Sequence, residues 1–387
     1  MKHPTLSILK SFPLIALLLV LSCKEQRNNT SQIEINNTLE ISYANGFSIE
    51  KSGSGITLLR VRSPWPDASE DLVYALVPRD LLPSVNLNKD AYDAIIPVPV
   101  KTLVATSTTH IPALESLGVA DRLVGFPDTQ YISSPYTRKR IDSDQIIDIG
   151  RNEAINTEIT LALQPEVIFG FSINGENSTY QTLKQAGIPT VYIGDWTEDS
   201  PLGKAEWIKF YAPFFGREDK ANEEFAAVET AYLEARNLFK KAKQRPSAIS
   251  GALYKDVWYL PAGDSWAAQF LEDAGANYLW KDSPGTGSLS LSLEAVLEKG
   301  RDATVWVSPS QYTSYGEMAE ASRHYAQFRA FREKRVYTFA RTKGLSGGLL
   351  YYELAPANPH EVLLDLIAIF HPELLPEREL YFFKPLE

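Results

Sequence analysis

Residues 156–172 read NTEITLALQPEVIFGFS, and residues 292–308 read SLEAVLEKGRDATVWVS. With Glu158 laid on Glu294, 136 positions later, both begin with a small polar residue, a spacer and a glutamate. Each continues for about two helical turns and meets a breaker, Gln164-Pro165 in one and Gly300 in the other. Each then ends in an apolar, strand-like run closed by serine. A polar cap, an acidic first turn and a proline or glycine stop mark a short helix. A helix followed by an apolar strand is one step of an alternating α/β chain.

The flanking segments repeat as well. KTLVATS (101–107) reads as a strand ending in the polar loop 106–110, and IPALESLGV as a short helix stopped by Gly118. RLVGFP is the next strand, and TYQTLKQAGIPTVYIG is a helix, turn and strand. Beyond Pro246, SAISGALY reads as a strand followed by an aromatic loop, KDVWYLPAGDSW. AQFLEDAGANYLW then echoes PALESLGVADRLV with Gly275 in place of Gly118, FREKRVYTF answers AGIPTVYIG, and EVLLDLIAIF closes as an amphipathic helix. Between the halves, Phe225, Val228, Tyr232, Ala235, Phe239 and Ala242 recur at three or four. That spacing predicts one helix over Arg217–Arg245, long enough (roughly 42 Å) to connect two lobes.

The expected fold is therefore α/β: two Rossmann-like lobes with mainly parallel sheets, residues 101–216 and 247–387, joined by one long α-helix, 217–246. Residues 41–100 show short alternating runs and a Gly53-Ser54-Gly55 turn, and read as a small β-rich leader in which Pro97 and Pro99 limit pairing.

Lys2 and Lys10 precede the apolar run Phe12–Leu21, and Ser22 and Cys23 follow it. This predicts a secretory signal over residues 1–22. The sequence VLSC is similar to a bacterial lipobox, which makes Cys23, the single cysteine of the 387 residues, the expected lipidated residue. Residues 23–40 read as a polar tether. One cysteine leaves no disulfide framework. With 44% hydrophobic and 22% charged residues the body is globular, and a net charge of −10 argues against nucleic acid as a partner.

Two α/β lobes, one connecting helix and a lipoprotein signal resemble the periplasmic binding proteins that serve iron–siderophore, haem and cobalamin ABC importers. The resemblance covers about Lys101 to Phe370 and rests on NTEITLALQPEVIF, SLEAVLEKGRDATVWV and LESLGVADRLVG. The second unit matches less well, with Arg301 where proline might be expected. The resemblance implies a binding protein without catalysis or cofactor, working as a monomer and anchored in the cell envelope. It faces the periplasm or is exposed at the surface. It also implies that Glu158 and Glu294 dock on arginines of a two-fold symmetric permease. Taken alone, either glutamate is equally a dipole-compensating residue of a first helical turn. A glycosidase pair needs two carboxyls within about 5–10 Å, which one glutamate per lobe does not suggest.

Ligands of open α/β sheets bind at the carboxyl ends of strands. The loops there are rich in aromatics and carry a few cations: His110, Phe126, Tyr131, Arg151, Phe171 and Trp196 in the first half, and Tyr254, Trp258, Trp266, Tyr312, Arg341 and Lys343 in the second. Such walls suit a bulky, partly apolar, anionic small molecule. By resemblance this is a metal chelate, with a ferric siderophore first, cobalamin or another corrinoid next, and haem third. No protein metal site is expected, because the histidines are scattered and no HExxH or cysteine pair exists. Gly344-Leu345-Ser346-Gly347-Gly348 fits the G-x-S-x-G pattern of a secreted serine hydrolase. However, only 41 residues follow Ser346, and they offer Asp365 and His371 on or just after one helix.

Overall fold

The structure, a computed structural model, describes residues 33–66, 68–152, 154–175 and 177–387. The signal segment 1–22, Cys23 and the first part of the tether lie outside these residues.

Five strands form the leader: β1 (Ile35–Thr38), β2 (Phe47–Ser52), β3 (Thr57–Val61), β4 (Leu72–Pro78) and β5 (Ala94–Val98). They lie side by side in chain order, antiparallel except for the parallel β4–β5 pair. The hairpin turns at Gly53–Gly55 as expected, and Pro97 sits in an edge strand, where a missing N–H leaves the sheet intact. Strand β1 falls inside the stretch read as tether. Its four residues INNT are all exposed, so the alternation that marks a strand is absent from the sequence there. The leader packs on the first lobe through Phe47, whose ring lies 4.8 Å from Trp207 and 5.5 Å from Phe210.

In the first lobe the chain runs β6 (Leu103–Ala105), α1 (His110–Ser116), β7 (Leu123–Phe126), α2 (Pro135–Asp142) and β8 (Ile147–Asp148). The small hairpin β9 (Gly150–Arg151) and β10 (Ala154–Ile155) leads to α3 (Thr157–Leu163), β11 (Val167–Gly170), α4 (Ser178–Gln185) and β12 (Thr190–Tyr192). The sheet order is β12-β11-β6-β7-β8, parallel throughout. Helices α5 (Pro201–Glu206) and α6 (Ile208–Tyr211) lead to the connector α7 (Glu218–Leu238).

The connector buries Ala221, Phe225, Tyr232 and Ala235 on one face. It ends earlier than the sequence suggests: one 3-10 turn covers Phe239–Lys241, and Ala242 is already extended. Its 21 α-helical residues span about 32 Å. Helices in proteins persist where an apolar face is packed, and past Phe239 the chain presents mostly exposed lysine and arginine.

The second lobe contains β13 (Ser247–Ser250), β14 (Ala252–Tyr254), β15 (Val257–Pro261), α8 (Trp266–Asp273), β16 (Asn277–Tyr278), β17 (Ser288–Leu291), α9 (Leu293–Gly300) and β18 (Val305–Val307). It closes with α10 (Tyr315–Ala321), α11 (Arg329–Arg332), β19 (Val336–Thr338), α12 (Leu350–Leu354), α13 (Pro359–Phe370) and β20 (Lys384–Pro385). The main sheet order is β16-β13-β18-β19-β20, with only β20 antiparallel. Strands β7-β6-β11-β12 and β16-β13-β18-β19 thus follow one order, so the repeat in the sequence is a repeat in the fold. Gly118 and Gly275 occupy the same helix-ending place with φ of +69° and +75°, a conformation that favours glycine.

The expected aromatic loop after β13 is instead part of a three-stranded antiparallel sheet, β14-β15-β17. Along β15, Trp258 and Leu260 turn inward and Tyr259 outward, the period of two that builds a half-buried strand.

Candidate functional site

Strands β7 and β11 leave β6 on opposite sides, which makes the carboxyl end of the first sheet a topological switch point. A cavity of about 560 Å³ opens there between the lobes. The first lobe contributes Thr106–Thr108 after β6, Phe126–Asp128 and Tyr131 after β7, Asn152, and Phe171 after β11. Across from them stand Gln311, Ala340, Lys343, Gly347–Leu349 and Tyr352 of the second lobe.

The Gly344–Gly348 loop forms part of this far wall and rests on the first lobe. Ser346 donates from Oγ to the Ile132 carbonyl (3.1 Å), and Ser133 donates from Oγ to the Gly348 carbonyl (3.4 Å). The approach is close enough to require glycine. A Cβ on Gly348 would stand 2.3 Å from the Tyr131 carbonyl oxygen, and one on Gly344 would stand 2.4 Å from the Ser133 Cβ. Beneath the loop, buried Glu353 of α12 accepts the backbone N–H groups of Ser133 (2.6 Å) and Ser134 (3.0 Å). Burial pushes the Glu353 carboxyl above its ordinary value, and these N–H donors oppose the shift.

Of the residues expected to line a cleft, Phe126, Tyr131, Phe171 and Lys343 meet in this cavity. Trp196 and Trp266 come together in a different hollow, described below. The others lie elsewhere. Arg151 is exposed on β9. Arg341 is turned to the chain end, donating to the Pro385 carbonyl (2.6 Å) and pairing with Glu387. Tyr254 is 66% exposed at the tip of β14, and half-buried Tyr312 packs edge-on against Tyr325.

Two expectations are corrected outright. Trp258 belongs to the core, stacked on Trp306 at 5.2 Å with its Nε1 donating to the Ser250 carbonyl. His110 is fully buried, and neither ring nitrogen has a hydrogen-bond partner among the described residues. Burial lowers its pKa to about 3, so the imidazole is neutral and faces packing, not solute. A strand-end position in the sequence does not reveal that the first residue of α1 turns inward.

Ser346 has a carbonyl and not a histidine as its hydrogen-bond partner. The two groups that the sequence offered to a hydrolase are buried elsewhere. Asp365 accepts from Arg378 and from the backbone N–H groups of Tyr381, Phe382 and Phe383. His371 is buried and packs beside Gly275. No group of three or more His, Cys, Asp or Glu side chains is placed to hold a metal ion among the described residues.

Sequence reasoning passed over Asp128, Asn152, Gln311 and Tyr352. Asn152 is anchored by its Nδ2, which donates to the Thr106 carbonyl at 2.9 Å. Tyr351 and Tyr352 are adjacent on α12 and face opposite ways, 8% and 50% exposed, so one packs and the other reaches the cavity. The available signal was the Tyr-Tyr pair itself. Asp128 lies between Phe126 and Tyr131, both marked by their rings, but it carries no aromatic signal of its own.

The repeated glutamates hold matched positions. Asn156 accepts from the Ile159 N–H (3.0 Å) and caps α3, and Ser292 accepts from the Ala295 N–H (3.2 Å) and caps α9. Glu158 and Glu294 each sit two residues past the cap, exposed and without an ion-pair partner among the described residues. The stops differ. Gln164 ends α3 in the left-handed conformation before Pro165, whereas Arg301 after α9 remains helical.

Residues 103–341 match the family described as Periplasmic binding protein. An uncharacterized lipoprotein of Methanocaldococcus jannaschii is 28% identical over 298 residues, covering 75% of this chain and 69% of that one. A second lipoprotein of that organism is 25% identical, covering 72% of each. Among solved structures, the periplasmic heme-binding protein RhuT from Roseiflexus sp. RS-1 superposes with a TM-score of 0.54 at 19% identity, covering 71% of this chain and 99% of that one. A possible iron-binding (periplasmic solute-binding) protein from Staphylococcus epidermidis gives 0.54 at 16%, covering 70% and 99%. These likenesses fix the fold. With the family match spanning most of both lobes, the chain belongs to the periplasmic binding protein family.

Proposed function

We propose that this chain is the solute-binding component of an ABC importer, lipid-anchored through Cys23, that captures a metal chelate between its lobes and carries it to the membrane permease. The observation that carries this reading is the interlobe cavity, walled by strand-end loops of both lobes. Its size falls within the few hundred to about a thousand Å³ usual for small-molecule sites. Among the described residues its walls join aromatic surface to one cation, Lys343, and one carboxylate, Asp128. That balance fits a bulky ligand of low net charge, since Arg151 and Arg341 do not line it.

A ferric siderophore is the first ligand to test, with a corrinoid or haem as alternatives. One observation favours keeping haem: Tyr131 and Tyr352, 54% and 50% exposed, present phenols on the cavity wall. Tyrosine is an established axial donor to haem iron. The protein binds and releases its solute without covalent chemistry, as a monomer. Delivery uses Glu158 and Glu294, one on each lobe, matched to a two-fold symmetric receiver.

Isothermal titration of the mature chain with a ferric trihydroxamate, a ferric tris-catecholate, cyanocobalamin and haem tests the reading. One of these should bind with a Kd on the order of 1 μM or tighter. Failure of all four to bind would refute the chelate.

A further inference from the structure

A second hollow, of about 490 Å³, is also walled by both lobes and the leader. Three indoles border it, each from a different part of the chain. Trp65 comes from the β3–β4 connection, Trp196 from the loop after β12, and Trp266 is the first residue of α8. Trp196 keeps 37% of its surface open, and the other two are half-buried.

All three are held in place. Trp65 meets Tyr192 edge-on at 5.4 Å and closes over Gly175, where a Cβ would stand 2.4 Å from its ring. Buried Lys204 donates from Nζ to the carbonyls of Asp195 (2.9 Å) and Trp196 (3.0 Å), which fixes the loop carrying Trp196. The same ammonium lies 5.1 Å from the centre of the Trp266 ring, and Trp266 stacks on Tyr351 at 6.2 Å.

The polar groups of this hollow are largely committed inside the protein. Glu198 accepts from the backbone N–H groups of Asn45 and Gly46 and from Trp207 Nε1. Ser265 caps α8, and Thr197 donates to the Gly194 carbonyl. Among the described residues, what remains facing the hollow is indole surface with a few hydroxyls. That suits a flat, uncharged aromatic ring.

No described residue lines both hollows, but two pairs of neighbouring residues link them. Phe171 lines the first, and Gly175 of the same loop lies under Trp65. Tyr352 lines the first, and its neighbour Tyr351 carries the stack to Trp266. We propose that Trp65, Trp196 and Trp266 form a second subsite, which takes a flat aromatic group borne by the same solute whose metal-chelate end lies at Lys343. This rests on the chelate reading above. Trp65 precedes residue 103, where the family match begins, so the subsite draws on the part of the chain outside that match.

Isothermal titration of the mature chain compares a ferric trihydroxamate bearing a pendant phenyl ring with the same chelate bearing an alkyl group there. Trp65→Ala and Trp196→Ala should each weaken the phenyl-bearing chelate about tenfold more than the alkyl one. Trp65→Phe, which keeps a ring, should retain most of the difference and controls for damage to the fold. Equal losses for the two chelates, undiminished affinity for the phenyl-bearing chelate in both alanine variants, or binding of the alkyl chelate alone by the wild type would overturn the subsite and leave the chelate reading standing. A wild type that binds no chelate at all would overturn both.

Discussion

Glu353 of the second lobe and Ser133 of the first are joined by a 2.6 Å hydrogen bond from the Ser133 N–H to the carboxylate, inside a buried interface. The same carboxylate takes the Ser134 N–H at 3.0 Å, at the start of α2. One side chain of the far lobe thus satisfies two helix-start donors that would otherwise be buried unpaired. Replacing Glu353 by alanine strands both. A loss of about 2–3 kcal/mol is expected in urea unfolding, against less than half of that for Glu353→Gln, which keeps one acceptor. Equal stability of wild type and alanine variant would show the contact to be dispensable.

The same group sets a pH dependence. Its native pKa is raised by burial, so the native state holds the proton longer than the unfolded chain. The stability it contributes is full below the ordinary glutamate value and is lost as pH rises through the native one. In Glu353→Gln that part of the slope should vanish.

His110 titrates in the opposite sense. With a native pKa of about 3 against an ordinary 6.5, the unfolded state takes the proton first as pH falls. Its contribution is present above pH 6.5 and is lost towards pH 3 at about 1.4 kcal/mol per pH unit. His110→Leu removes a buried imidazole whose nitrogens have no hydrogen-bond partner among the described residues, and should flatten the acid side of the stability profile. An unchanged acid slope would contradict the burial argument.

Gly348→Ala tests the loop between the lobes. The added carbon would stand 2.3 Å from the Tyr131 carbonyl oxygen, a backbone atom that cannot swing aside. A destabilisation of about 1–3 kcal/mol is expected, with a weakened solute site, because both Gly348 and Tyr131 line the cavity. Gly347→Ala, beside it, meets nothing within 4 Å but has a φ of +94°, so its effect is backbone strain alone. A Gly348 variant as stable as wild type would show that the loop can lift away freely.

Reversing both glutamates, Glu158→Arg with Glu294→Arg, should leave solute affinity unchanged, since neither side chain reaches the cavity. Solute-stimulated ATPase activity of the reconstituted permease should fall at least about tenfold, the loss expected when like charges replace paired ones. Intact stimulation would reduce both residues to dipole-compensating positions.

Much of the fold was legible because it is written in local chemistry. The caps Asn156 and Ser292, the glycine stops Gly118 and Gly275 and the hairpin at Gly53–Gly55 each act through neighbours in the chain. The site was less legible because it is built by tertiary placement. Arg341 and Lys343 are two residues apart, yet one turns to the chain end and the other to the cavity. Trp258 looked like part of a loop until β14 and β17 paired around it and buried it. Gln311 carries no local mark and gains a role only because the second lobe faces the first across the cavity.

The central claim is that solute lies between the lobes, against Lys343 and Tyr352. Isothermal titration of the chelate that binds the wild type, repeated with the double variant Lys343→Glu, Tyr352→Ala, tests it most directly. The account predicts an affinity loss of about a hundredfold or more, from a reversed charge and a lost aromatic wall. Wild-type affinity in the double variant would contradict it.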